Sequence, residues 1–278
     1  MNRLDALRRA MAEDGLEALL VTGAANRLYL SGFTGSAGAL VVTPDRCWLL
    51  TDFRYFEQAR EQAPGWELCP QKGKLSEALG QLVREQGIAR LGFEKEHVSY
   101  AQYESLVEIG AELLPRAGLV EKLRMVKDET ELEAIRRAAA LTDAAFAHIL
   151  SVLRPGVREE EVALELEYHM RRGGASRAAF DIIVASGPRS ALPHGRASSR
   201  PIQAGDLVTM DLGCVVDDYC SDLTRTVVVG RADERQREVY QLAARAQRAG
   251  MEALRAGRRG SEVDAAARLV IAEAGHGE

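Results

Sequence analysis

A chain of 278 residues that is 46% hydrophobic and 28% charged can bury more than one core, which excludes a disordered, collagen-like or low-complexity protein. Its net charge of −5, from 36 Lys and Arg against 41 Asp and Glu, supplies no basic excess for nucleic acid or an anionic membrane. The opening stretch MNRLDALRRAMAEDGLEALL alternates charge with apolar residues, without the continuous apolar core of a secretory signal or a membrane span, so a cytoplasmic protein is expected.

Residues 3–14 set Leu4, Leu7 and Met11 at helical spacing, closed by Gly15. LEALLVT is a short apolar strand, and GALVVT and CWLLTD are two more, joined by the turn-forming PDR. FRYFEQAREQA and LSEALGQLVREQG read as helices, IARLGFE as a strand and AQYESLVEIG as a helix. Strand and helix alternating at this spacing predict an α/β layer domain. No G-x-G-x-x-G or Walker-type loop occurs, so nothing supports nucleotide binding.

A second unit begins near Met125. Asp128 and Glu131 form a capping-box-like start, with an acidic residue in place of the usual Ser or Thr. Leu132, Ile135, Ala139, Phe146, Ile149 and Leu153 then mark one helical stripe, stopped by Pro155-Gly156. A second helix, REEEVALELEYHMRR, ends at Gly173-Gly174. AFDIIVAS, GDLVTMDLGCVV and YCSDLTRTVVVG are strands, followed by helices over DERQREVYQLAARAQRAGMEALRAG and SEVDAAARLVIAEAG. Ser261 is the expected N-cap of the last helix and Gly275 its stop. Helix, helix, strands, helix, helix reads as one and a half copies of a repeated unit, without the strands that would follow the second helix pair.

The chemistry concentrates between residues 210 and 230. Asp211 and Asp222 stand in strands that otherwise read as buried, where an unpaired charge costs several kcal/mol or more. A two-residue turn at Asp217-Asp218 sets Val216 against Tyr219 and Asp222 against Gly213, with Asp211 two residues along on the same face. Two carboxylates at that range repel unless one is protonated or a cation lies between them. Gly213 is expected to leave room for such an ion, and Thr224 and Thr226 fall on the same face as donors that orient the carboxylates. Spacing alone leaves a second reading open, a solvated hairpin face with no role, and a three-residue loop would put the aspartates on opposite faces.

His194, in the loop SALPHGRAS, is the candidate proton donor or transition-state stabiliser beside a metal, against the reading that it is a surface histidine. His148 and His169 lie in helices with no ligand partner at i+3 or i+4, His97 in a polar connection, and His276 just past a helix cap in a fraying end. Cys47, Cys69, Cys214 and Cys220 are too few for a disulfide framework; in this register Cys220 pairs with Val215 and Cys214 points to the other face, as ordinary reduced thiols.

Together these stretches resemble the proline-specific (Xaa-Pro) aminopeptidases and dipeptidases of the pita-bread metallopeptidase family. In the first unit the resemblance rests on NRLYLSGFTGSAGALVVT and LLTDFRYFEQA, at the junction on EKLRMVKDETELEAIRRAAALTD, and in the second unit on SGPRSALPHG, GDLVTMDLG and YCSDLTRTVVVG. It implies a creatinase-like α/β domain over residues 1–123 and an incomplete pita-bread catalytic domain over 124–278. It further implies that Asp211 and Asp222 are the first two ligands of a two-metal centre, with Asp222 bridging, and that His194 contacts substrate. The expected ions are manganese, with cobalt or zinc as alternatives. The expected substrate is a short peptide with proline at the second position, and the expected assembly is a homodimer whose N-terminal domain caps the cleft. The remaining ligands, a histidine and two glutamates, would lie past the fourth helix, so the expectation is a C-terminally truncated member with two of the five. Two competing readings are a non-catalytic relative serving as a binding or dimerisation subunit and a metal-free hydrolase of a guanidino compound, which the aspartate pair disfavours.

Overall fold

Asn2 caps the first helix by accepting from the Leu4 amide, and α1 (Arg3–Glu13) turns Leu7 and Met11 inward. The computed structural model describes residues 2–277, which divide into two units between Lys127 and Asp128. The first continues with β1 (Leu19–Val21), α2 (Ala24–Ser31), β2 (Ala39–Val42), β3 (Cys47–Thr51), α3 (Phe56–Gln62) and β4 (Glu67–Pro70). It closes with α4 (Leu75–Gln86), β5 (Arg90–Glu94), α5 (Tyr100–Leu106), β6 (Glu112–Arg116) and α6 (Leu119–Met125).

Its strands form one mixed sheet in the order β4-β3-β2-β1-β5-β6, antiparallel across β1–β2 and β2–β3 and parallel elsewhere. The central strands are buried on both faces and so read as unbroken apolar runs. One face packs against Leu7, Met11, Leu30, Ala59 and Val120, the other against Leu79, Leu82, Val83 and Leu106. This is the expected α/β layering. The edge strands β4 and β6 escaped the sequence reading because they are largely half-exposed and carry Pro70 and Pro115, which suit sheet edges. Helix α2 escaped it because its inner face includes Asn26 and Arg27.

In the second unit α7 (Glu129–Ile149) starts at the capping box, with Asp128 accepting from the Glu131 amide and Glu131 accepting from the Asp128 amide. Its buried stripe is Glu131, Ala134, Ala138, Thr142, Ala145 and Ile149, one position away from much of the expected one. Ala139 is exposed, and Leu132, Ile135 and Phe146 are half-buried. Small residues line the inner face because the hairpin packs directly against it: Cys214 Sγ lies 3.4 Å from the Ala138 carbonyl oxygen.

Then follow α8 (Glu159–Arg172), β7 (Arg177–Ala178), β8 (Ile183–Ser186), β9 (Leu207–Leu212), β10 (Cys214–Val216), β11 (Tyr219–Cys220) and β12 (Leu223–Val228). The last elements are α9 (Glu234–Ala253) and α10 (Gly260–Glu273). The last helix starts one residue before Ser261, with Arg259 as its N-cap, so Ser261 is not the cap. Gly275 takes the left-handed conformation at its end, and the His276 amide donates to the Ile271 carbonyl, which ties that residue down.

The strands divide into two antiparallel three-stranded sheets, β11-β10-β7 and β12-β9-β8. Val208, Met210 and Leu212 of β9 join Ala138, Ala145, Val162 and Leu166 in the core beneath the second sheet. The other face of β9, carrying Leu207, Thr209 and Asp211, is only half-buried, and β12 has no strand on its outer edge among the described residues. Strand β9 is thus covered on one side, not on both as its apolar sequence predicts. Among the described residues no helix is long and apolar enough to cross a membrane.

Candidate metal centre

The long hairpin runs in the two-residue-turn register. Val216 pairs with Tyr219, Val215 with Cys220, Leu212 with Leu223 and Asp211 with Thr224. Asp217 and Asp218 supply the turn with φ of 46° and 67°, the left-handed pair that a type I′ connection needs and that aspartate tolerates. Tyr219 anchors the turn by donating to buried Glu131 at 2.7 Å, and Arg137 forms an ion pair with Asp217. All four cysteines are free, with Cys214 buried and Cys220 exposed on opposite faces as the register requires.

Halfway along, the hairpin passes from one sheet to the other at Gly213 and Ser221. A side chain at Gly213 would meet the Ser221 carbonyl oxygen at 2.1 Å. This glycine therefore permits a close backbone approach and does not make room for an ion. Ser221 turns inward, where its hydroxyl reaches Thr142 Oγ1 at 2.6 Å and accepts from the Cys214 amide at 3.0 Å.

Asp211 and Asp222 flank this crossing on one face. Asp211 is half-buried and Asp222 exposed, so they are not buried charges as the strand pattern predicts, because no second layer covers this face among the described residues. They still interact: partial desolvation, then the Asp211 charge and a hydrogen bond with Asp211, push the Asp222 carboxyl above the ordinary carboxylate range. Thr224 donates to Asp211 Oδ1 at 2.9 Å, as the register predicts, and Thr226 pairs instead with Thr209 at 3.0 Å. Along the same face a cleft of about 340 Å³ opens between Leu207, Thr226 and Val228 on the sheet and Gln236, Arg237 and Tyr240 on α9.

His194 is exposed in the turn of the loop between β8 and β9. Two residues later Arg196 bridges to Ile183, and Ile183 pairs with Asp211, so the loop leaves at the level of the aspartates. No third histidine or carboxylate joins the aspartate pair closely enough to chelate among the described residues.

The group of three that does converge lies in the first unit: Glu94, His97 and Glu121. Spacing gave no sign of it, since the residues come from β5, the loop after it and α6. Asn26 Nδ2 donates to Glu94 Oε1 at 2.6 Å and to Glu121 Oε1 at 2.5 Å, so an amide already occupies the place between the carboxylates that a cation would take. Arg124 donates to Asn26 Oδ1 at 2.8 Å, and Glu94 also accepts from the Thr22 and Gly23 amides at 2.7 and 2.8 Å. This is a satisfied hydrogen-bonded clasp. His97 Nε2 lies 3.0 Å from Glu121 within it. His148, too, has a partner, Glu165 at 2.6 Å, and its ring stacks on His169 with centroids 4.3 Å apart. These contacts cross from one helix to the next, which spacing within one helix does not reveal.

Comparison with known proteins gives a consistent picture. Metallopeptidase family M24 matches residues 133–278, and the creatinase/prolidase N-terminal domain matches residues 3–126. The uncharacterised peptidase YqhT of Bacillus subtilis is 44% identical over 99% of this chain and 79% of its own length. An Xaa-Pro dipeptidase of Pyrococcus furiosus is 35% identical over 99% of this chain and 78% of its own length. Among solved structures, an Xaa-Pro dipeptidase from Bacillus anthracis superposes with a TM-score of 0.95 at 45% identity, covering 99% of this chain and 78% of that one.

Proposed function

Because the chain belongs to metallopeptidase family M24 and carries a creatinase/prolidase N-terminal domain, we propose that it hydrolyses the bond ahead of proline in short Xaa-Pro peptides. The names of its relatives support that substrate class. The observation that carries the reading is the mutual approach of Asp211 and Asp222: partial desolvation, then the Asp211 charge and a hydrogen bond with Asp211, push the Asp222 pKa upward. Such a donor set suits a hard divalent cation, manganese first and cobalt or zinc next.

In this reading Asp211 and Asp222 would hold the divalent ions. Ions bound there supply Lewis-acid polarisation of the scissile carbonyl and an acidified water. The protein's own groups do the rest. Thr224 fixes the orientation of the Asp211 carboxylate by donating to Oδ1. His194 donates a hydrogen bond to the substrate's carbonyl oxygen as negative charge develops on it. The cleft beside Tyr240 and Gln236 accommodates a short peptide. The working form is a cytoplasmic homodimer. The alternative of a non-catalytic binding subunit draws no support from relatives that are themselves named peptidases and dipeptidases.

The test is proline release from an Xaa-Pro dipeptide by the purified chain with Mn²⁺, Co²⁺ or Zn²⁺, alongside calorimetric titration of Mn²⁺. Release that chelation and Asp222→Asn both abolish is the expected result. No release with any of the three ions, or release indifferent to Asp222→Asn, overturns the proposal. A tripeptide with proline second, run in parallel, separates aminopeptidase from dipeptidase action.

A further inference from the structure

Glu159, the first residue of α8, is wholly buried, a costly place for a carboxylate unless its lone pairs are met. They are met from both ends of one loop. Glu159 Oε1 accepts from the Ser186 amide at 2.8 Å and the Ser186 hydroxyl at 2.7 Å. Oε2 accepts from the Ser198 amide at 3.1 Å, the Ser198 hydroxyl at 2.6 Å and Arg189 Nε at 3.2 Å. Ser186 ends β8 and Ser198 closes the loop that carries His194, so a single carboxylate ties the entrance of that loop to its exit. Arg189, inside the loop, also donates to the Arg196 carbonyl at 2.5 Å. Behind the carboxylate, the Glu159 and Glu160 amides donate to the Arg200 and Ser198 carbonyls at 3.1 and 3.0 Å, which seats the start of α8 on the same segment. The loop is pressed onto β8, since a side chain at Gly195 would meet the Ala185 Cβ at 3.0 Å.

The loop that Glu159 closes returns to the sheet in the row Arg196–Ile183–Asp211. We propose that Glu159 is the positioning residue for His194, fixing the height of its turn relative to Asp211 by binding Ser186 and Ser198 together. The proposal rests on the reading of His194 given under Proposed function and names what holds that residue in place. Burial alone would raise the pKa of Glu159, but hydrogen bonds from Ser198 and Ser186 and the Arg189 charge bring it below the ordinary range, so the clamp stays ionised at neutral pH.

The test compares wild type, Glu159→Gln, Ser198→Ala and Ser198→Thr by amide hydrogen exchange and by the His194 ring-proton resonance. In Glu159→Gln, exchange across residues 187–197 is expected to quicken by about tenfold. The His194 signal should move toward that of an unstructured histidine while the β9–β12 amides keep their protection. Ser198→Thr, which keeps the hydroxyl, should resemble wild type, and Ser198→Ala should fall between. An unmoved loop and His194 signal overturns the proposal, and so does exchange that quickens equally throughout residues 128–277, which would make Glu159 a support of the whole unit. If Glu159→Gln does not fold, the Ser186→Ala/Ser198→Ala double variant is read by the same two outcomes. His194→Ala in the proline-release assay separates the two readings. Undiminished release removes the role of His194 while the loop result stands, whereas lost release with an unmoved loop in Glu159→Gln removes only the clamp.

Discussion

The two units each bring a pair of carboxylates together, and they treat the pair in opposite ways. In the first unit Glu94 and Glu121 are bridged by the Asn26 amide, with Arg124 behind it and backbone amides on Glu94. In the second unit Asp211 has the neutral Thr224 hydroxyl as its donor, and partial desolvation followed by the Asp211 charge pushes the Asp222 pKa upward. A satisfied pair is a structural fastening, since its polar groups are already met. A pair left in repulsion by its own protein is a place where a cation gains affinity. Sequence spacing made Asp211 and Asp222 visible and said nothing of Glu94 and Glu121, yet among the described residues the group of three ligand-type side chains that converges is Glu94, His97 and Glu121. Proximity of ligand-type residues is therefore a poorer guide than whether their charges have been met.

The sharpest way to break this contrast is to remove Glu94. Glu94→Ala strands the Thr22 and Gly23 amides and the Asn26 side chain, and it should cost about 3 kcal/mol of stability. Urea denaturation followed at Trp48 and Trp66 of the first unit measures it, and a loss below about 1 kcal/mol would mean the clasp is not a fastening. Next in size, Asp222→Asn should weaken Mn²⁺ binding by about 100-fold, near 2.7 kcal/mol, while Glu121→Gln leaves it unchanged. Calorimetric titration of the two variants decides which carboxylate pair takes the ion. Thr224→Ala, which frees the Asp211 carboxylate to rotate, should weaken Mn²⁺ about tenfold, and Thr224→Ser should restore most of that.

The smallest effect has a definite sign with pH. A carboxyl whose folded pKa lies above its unfolded value of about 3.9 adds its stability in full below that value and loses it as pH rises through the folded pKa. For Asp222 the shift is upward, from partial desolvation first and the Asp211 charge second, so at neutral pH the metal-free protein carries both costs. Asp222→Asn should therefore raise the stability of the chelated protein by a few tenths of a kcal/mol at pH 7, because the site is solvent-exposed, with the gain gone by about pH 3. Thermal unfolding in chelator at the two pH values checks it. A gain that grows as pH falls would contradict the like-charge reading.

Much of the site was legible because antiparallel geometry is strict. Once Asp217-Asp218 is taken as a two-residue turn, the pairing of Asp211 with Thr224 follows by counting, and the observed register agrees. The capping box at Asp128 and Glu131 was legible for the same reason, since it depends only on a three-residue spacing. What failed depended on neighbours far along the chain. The α7 stripe shifted to Ala134, Ala138 and Ala145 because the hairpin packs against it, and hydrophobicity at helical spacing favours the bulkier Leu132 and Phe146. Gly213 read as space and is a close approach to the Ser221 carbonyl. Glu159 opens the helix over REEEVALELEYHMRR, and nothing in REEEV distinguishes the buried one from its exposed neighbours Glu160 and Glu161.

The sequence by itself determined the apolar strands of the hairpin and, once the two-residue turn is taken, the register that puts Asp211 and Asp222 on one face, because period, register and turn chemistry are local properties of the chain. Tertiary structure alone decided which charges are met. Whether a carboxylate is paired, clamped or left in repulsion depends on donors brought from distant segments, as Asn26 is to Glu121 and Ser198 is to Glu159. Charge compensation acts through space over a few ångströms, and residues that close in the fold lie far apart in the chain.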